Sequence, residues 1–155
     1  MPIRHPTHGL PQPPYAILNL KTIPMNSFVF IIAQTPTHLM TPMRELLFRR
    51  CLGSLQAQTS NDWLALVVGD QPVEGPNIVH LKTDKLLKGP KLEVALYYLE
   101  QQTYKPKYLI RFDDDDVIAP DILQRVSRLE FDCVADRYHA YYDLSTGKTC
   151  LSKNH

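Results

Sequence analysis

The sequence predicts an α/β domain: three layers with a mostly parallel sheet, Rossmann-like in outline. Two observations carry this. The runs Phe28-Val29-Phe30-Ile31-Ile32-Ala33 and Trp63-Leu64-Ala65-Leu66-Val67-Val68 are apolar throughout, without alternation. That is the mark of strands buried on both faces. Helix-like segments lie between such runs, and strands alternating with helices imply parallel pairing with helices on both sides of the sheet.

Each element follows from local chemistry. Six of the 13 prolines fall in residues 1–26, which read as an extended, disordered arm before a domain at 27–155. Met25 is a second candidate start. After the first strand comes a loop, Gln34-Thr35-Pro36-Thr37-His38. A helix is expected from Thr41 or Pro42 to Gln58, with Thr41 as N-cap, Pro42 in the first turn and Glu45 facing the helix dipole. Leu47, Cys51 and Leu55 share its apolar face, widened by Met43, Leu46 and Leu52. The second strand, Trp63 to Val68, ends at the turn Gly69-Asp70-Gln71-Pro72. A third strand is expected from Asn77 to Leu81. A basic loop follows, with Lys82, Lys85, Lys88 and Lys91 around Gly89-Pro90. The next helix spans Leu92 to Gln102, with Leu92, Ala95, Leu96 and Leu99 inward. Tyr108 to Phe112 is the fourth strand. Beyond it the pattern gives a helix from Pro120 to about Glu130, a strand from Phe131 to Ala135, and a hairpin from Tyr138 to Cys150 turning at Ser145-Thr146-Gly147-Lys148.

Bulk properties exclude several functions. Of 155 residues, 17 are Lys or Arg and 16 are Asp or Glu, a net charge of +1. That balance argues against nucleic-acid binding by bulk electrostatics and against a polybasic membrane anchor. The apolar runs are too short to span a bilayer, and the start of the chain lacks the apolar core of a secretory signal. Cys51, Cys133 and Cys150 form no CxxC pair, so they read as free thiols of a cytoplasmic protein.

The polar residues mark a site. In open parallel sheets, ligands bind beyond the carboxyl ends of the strands. Gln34 and Thr35 follow the first strand, Asp70 the second, and Asp113-Asp114-Asp115-Asp116 the fourth. Adjacent carboxylates repel; at ~4 Å and an effective dielectric constant near 20, a like-charged pair costs about 4 kcal/mol before screening. Hydration, protonation or a hard divalent cation (Mn²⁺ or Mg²⁺) relieves this. On an extended backbone Asp113 and Asp115 share one side and suit a metal, or a metal and a ribose hydroxyl. Asp114 and Asp116 would point away. A cation there would bridge diphosphate oxygens. Lys88 and Lys91, flanking Gly89-Pro90 at a helix N-terminus, are the better phosphate partners among the lysines.

These residues resemble the nucleotide-binding part of a family 2-type glycosyltransferase of GT-A fold. The resemblance runs from about Ser27 to Lys148. Arg50 to Thr59 is similar to the family's helix ending in S-L-x-x-Q-T, Trp63 to Asp70 to its hhVVDDGS strand, and Tyr108 to Asp121 to its DxD segment. A rhamnosyltransferase-like group shares the pattern. The resemblance implies a transferase taking a sugar from a nucleotide-sugar donor to a saccharide or other acceptor. Asp113 would contact ribose or metal, Asp115 would be the main metal ligand, and Asp70, Gln34 and Thr35 would line the base and ribose pocket. There are departures. Gly69 stands where the family has an acid, Ala33-Gln34-Thr35-Pro36 replaces its usual loop, and Lys88-Gly89-Pro90-Lys91 replaces its Ala-Arg-Asn segment. The family's catalytic base lies beyond the hairpin. Nothing marks Asp132, Asp136 or Asp143 as that base, so the chain reads as a fragment, a natural truncation or a domain completed by another chain.

Two other readings compete. One is a non-catalytic or truncated nucleotide-sugar-binding module. The other is a haloacid-dehalogenase-type phosphohydrolase, because Asp113-x-Asp115-x-Val117 fits its nucleophile motif. That motif normally opens its domain, however.

Overall fold

The computed structural model describes residues 26–133, 138–143 and 145–153. The expected arm lies outside them apart from Asn26, which is buried and packs into the domain. Its side-chain amide donates to the Asn61 carbonyl, and its own carbonyl accepts from the Tyr104 hydroxyl.

Four parallel strands form the main sheet: β1 (Phe28–Ala33), β2 (Trp63–Gly69), β3 (Ile78–Lys82) and β4 (Tyr108–Asp113), in the order β3-β2-β1-β4. The two apolar runs predicted to be buried on both faces are the two central strands. Phe28, Phe30, Ile32, Trp63, Ala65 and Val67 face one side; Val29, Ile31, Leu64, Leu66 and Val68 face the other. Helix α1 (Pro42–Gln56) and the short α3 (Ile122–Val126) cover the first side, and α2 (Lys88–Glu100) covers the second. The result is the expected three-layer α/β arrangement. A separate antiparallel hairpin pairs β5 (Tyr138–Asp143) with β6 (Lys148–Lys153).

Several expectations need correction. Helix α1 starts at Pro42 with Thr41 as N-cap, as expected, the Thr41 hydroxyl accepting from Arg44 N–H, but it ends at Gln56 and Ala57 is its C-cap. Its buried residues are Phe48, Cys51 and Leu55, while Met43 and Leu46 are exposed. A helix resting on one sheet face buries a single stripe, and Phe48 continues the Cys51/Leu55 stripe where Met43 and Leu46 do not. Helix α2 begins at Lys88, inside the expected basic loop. Pro90 is tolerated because it sits in the first turn, where its missing N–H has no helical partner to lose. Its inward residues are Lys91, Ala95, Tyr98 and Leu99, and Leu96 is exposed.

Helix α3 is one turn, not a helix reaching Glu130: only Leu123 is buried, and residues 127–130 are exposed with no surface to pack on. Phe131 to Cys133 is not a strand. Phe131 instead stacks on Tyr108, ring centroids 4.4 Å apart. Residues 134 and 135 lie outside the described part.

Candidate functional site

The sheet order places the site. From β1 the chain moves outward to β2 and β3, then returns across the sheet to β4 on the other flank of β1. The order therefore reverses between β1 and β4, and the ends of these strands flank the crevice where α/β sheets take ligands. Ala33 pairs in register with Val68 and with Asp113. Gln34, Asp70 and the aspartate run, distant in sequence, thus leave the sheet at one level.

Each acidic side chain there has its own environment. Asp113 closes β4, and its carboxylate meets the Lys88 ammonium at 2.5 Å and Arg111 Nε at 4.0 Å. Its carbonyl accepts from the buried Cys51 thiol at 3.5 Å. Burial, followed by the four neighbouring carboxylates, pushes that thiol far up, so Cys51 stays neutral. The chain then turns, with Asp116 N–H donating to the Asp113 carbonyl at 3.1 Å. This corrects the extended-backbone argument: strand alternation stops at Asp113 and does not relate it to Asp115.

Asp114, expected to point away, reaches across the crevice and accepts from Thr35 N–H at 2.6 Å. Asp115 is exposed and has no hydrogen bond or ion pair among the described residues. Burial, then the charges of Asp113 and Asp115, raises the Asp116 carboxyl above its usual value. The repulsion anticipated for the run is therefore relieved piecemeal, by Lys88, by the Thr35 amide, by solvent at Asp115 and by easier protonation of Asp116.

The loop after β1 is held from both sides. Asp70 accepts from Thr37 N–H through both carboxylate oxygens, at 3.2 and 3.1 Å, which caps a short 3-10 turn over Thr37–Leu39. The Thr37 side-chain hydrogen bond, with lesser help from the Thr37 amide and Lys91, keeps the Asp70 carboxyl below its usual value. The Thr35 hydroxyl accepts from Arg44 at 3.2 Å.

Gln34 is buried. Its side-chain oxygen accepts from Gln71 N–H at 3.1 Å, and its side-chain nitrogen has no partner. A Cβ on residue 69 would stand 2.1 Å from that oxygen. The two departures at 34 and 69 are thus one packing arrangement: buried Gln34 needs glycine opposite it. Lys91, expected as a phosphate partner, is buried at 2% exposure, and its ammonium donates to the Gln34 carbonyl. Burial lowers its pKa; Asp70 and Asp114 oppose that. Lys88 is the exposed one of the pair, at the mouth of the site.

The end of α1 does something that sequence reasoning missed. Gln58 is buried and donates to the Ala119 carbonyl at 2.8 Å, while its oxygen accepts from Leu123 N–H at 3.3 Å. Ser54 accepts from Ile118 N–H, and Thr59 N–H donates to the Pro120 carbonyl at 2.8 Å. Ser54, Gln58 and Thr59 are the polar residues of the S-L-x-x-Q-T pattern, so its spacing clamps the chain just after the aspartates. The motif was visible in the sequence; its partner was not.

Among the described residues, no group of three or more His, Cys, Asp or Glu side chains stands ready to hold a metal ion. By donor chemistry alone, Asp113 and Asp115 are the residues that could serve a hard cation. Asp115 and Asp113 offer carboxylate oxygens, and ligand oxygens or water must supply the rest, the usual situation for Mg²⁺. A surface recess of about 420 Å³ lies elsewhere, against Lys107, Tyr108, Glu130, Phe131 and Asp132 at the start of β4. It is away from the carboxyl ends of the strands and holds none of the predicted site residues.

Fold and site together define an α/β protein with a carboxylate- and lysine-lined crevice at the switch point of a parallel sheet. No family model matches the sequence, and no curated protein matches it. Among solved structures it is similar to S. aureus TarS 1-349, with a TM-score of 0.49 and 17% identity. That likeness covers 66% of this chain and 31% of that one. No described helix is long and apolar enough to cross a membrane.

Proposed function

We propose that this chain binds a nucleotide-sugar donor in the crevice between β1 and β4 and belongs to a metal-dependent glycosyltransferase. The observation that carries the reading is the Thr35–Asp114 hydrogen bond. It joins the loop after β1 to the aspartate run across the switch point, so the residues that follow β1 and β4 border one cleft. Asp115, open to solvent, and Asp113 would hold Mn²⁺ or Mg²⁺. That cation supplies charge neutralisation for a diphosphate leaving group. Lys88 would contact the diphosphate. Lys91 and Asp70 would act from below, by fixing residues 34–37 against which base and ribose lie. The hydrolase reading loses ground, because the aspartate-bearing strand is fourth in the chain and at the sheet edge.

Calorimetric titration with nucleoside diphosphates, with and without Mn²⁺, tests the binding. The reading expects metal-dependent affinity that Asp115→Ala removes. Affinity indifferent to metal, or unchanged in Asp115→Ala, sinks the site assignment. Release of nucleoside diphosphate from a panel of nucleotide sugars tests the transfer; binding without turnover would leave a binding module.

A further inference from the structure

The cation and Lys88 want the same carboxylate. The Lys88 ammonium lies 2.5 Å from Asp113 Oδ1, with 44% of the lysine side chain and 35% of the aspartate side chain exposed. Lys88 is also the first residue of α2, whose N-cap, Leu87, provides no side-chain hydrogen bond. Where a Cβ would project from the next residue, Gly89, nothing lies within 4 Å. The opening turn of a 13-residue helix is therefore accessible, and its free N–H groups favour an anion. Lys88 stands between that turn and Asp113.

We infer that Lys88 is an exchangeable counter-cation: it rests on Asp113 in the ligand-free protein and transfers to the diphosphate when a divalent cation takes the carboxylate. The inference rests on the donor site proposed above. An ammonium on Asp113 Oδ1 repels a divalent cation on the same carboxylate, so each weakens the other's hold there. The flexible lysine stem lets the ammonium leave without moving the helix. The incoming diphosphate brings its own negative charge to the α2 N-terminus, where Lys88 already is. No covalent bond changes; one ion pair is exchanged for two.

Exchange has a signature that a simple phosphate contact lacks, namely opposite effects on the two ligands. Lys88→Met removes the competitor for the cation and the partner for the phosphate. Calorimetry on the full chain should show Mn²⁺ alone binding about threefold tighter, as expected on losing a solvent-exposed ion pair. Nucleoside diphosphate in saturating Mn²⁺ should bind about tenfold weaker, as expected on losing a charge-assisted hydrogen bond. Lys88→Arg keeps the charge and should restore both toward wild type. If wild type binds both ligands and Lys88→Met weakens both or alters neither, exchange is wrong while the donor site stands. If neither wild type nor Lys88→Met binds Mn²⁺ or nucleoside diphosphate, the donor site and the exchange fail together.

Discussion

Thr35 and Asp114, 79 residues apart, are joined by a 2.6 Å hydrogen bond from the Thr35 amide to the Asp114 carboxylate. The bond links the tips of β1 and β4, whose pairing ends at Ala33 and Asp113, two residues before Thr35 and one before Asp114. A charged acceptor on a backbone amide contributes about 1.5–3 kcal/mol. Asp114→Ala should therefore destabilise by about 1–2 kcal/mol, after relaxation and water replace part of the bond. Asp114→Asn, which keeps an acceptor oxygen, should lose less. Urea unfolding of the two variants measures this. Equal losses would mean that the charge, and not the hydrogen bond, is what matters.

Asp70 adds a pH dependence to the same loop. Its carboxyl lies below the ordinary 3.8 when folded, chiefly through Thr37. A depressed folded value means the unfolded chain takes up the proton first as pH falls. The stabilisation is thus complete above about pH 5 and disappears as pH drops through 3.8 toward the lower folded value. Asp70→Asn keeps the shape and loses the charge. The gap in Tm between wild type and Asp70→Asn should be widest near neutrality and close in acid. A gap that is constant with pH would remove the carboxylate from the account.

Gly69 and Gln34 should be energetically coupled. A methyl at 69 overlaps the Gln34 side-chain oxygen, with its Cβ only 2.1 Å away. Gln34 Cβ, 2.7 Å from the new methyl, cannot swing aside as the side-chain oxygen can, so Gly69→Ala should cost about 2–3 kcal/mol, in the range of overpacked cores. With Gln34→Gly in place the three nearest atoms, Oε1, Cβ and Cδ of Gln34 at 2.1, 2.7 and 3.0 Å, are all removed. The double variant should then be more stable than the sum of the single losses by about 1–2 kcal/mol. Thermal unfolding of the four proteins in the cycle gives the coupling, and additive losses would contradict the geometry.

The central strands were legible because Phe28 to Ala33 and Trp63 to Val68 are apolar at every position, which few other structures tolerate. Helix faces were less so. Helix α1 carries Met43, Leu46, Leu47, Phe48, Cys51, Leu52 and Leu55, apolar around most of its circumference. Only its placement on one sheet face selects Phe48 over Leu46. The site was legible in position, since Gln34, Asp70 and Asp113 all leave strands at one edge. It was not legible in detail. The alternation rule assumed that the aspartate run stays extended, whereas the Asp116–Asp113 hydrogen bond turns it. Partners such as Thr35 for Asp114 are set by strand order, which no local spacing encodes.

Gln58 offers the strictest test of how the aspartates are held. It is 7% exposed and satisfies two backbone groups of the following loop, the Ala119 carbonyl at 2.8 Å and the Leu123 amide at 3.3 Å. Gln58→Leu fills similar volume but leaves the Leu123 amide unpaired in a buried setting, at about 1–3 kcal/mol, while the Ala119 carbonyl keeps Ile122 N–H at 3.2 Å. A total loss near ~2 kcal/mol is expected, allowing for partial relaxation. Ser54→Ala removes the hydroxyl that accepts from Ile118 N–H at 3.3 Å and donates to the Cys51 carbonyl at 2.8 Å, and should cost about 1 kcal/mol. Because both residues anchor one loop, the double loss should fall short of the sum. Under conditions where the variant stays folded, Gln58→Leu should also weaken nucleoside diphosphate binding in Mn²⁺. The clamp lies only a few residues beyond Asp115 in the chain and fixes where the loop returns to α1. Reduced stability with unchanged affinity would show that the aspartate turn holds its shape without the clamp.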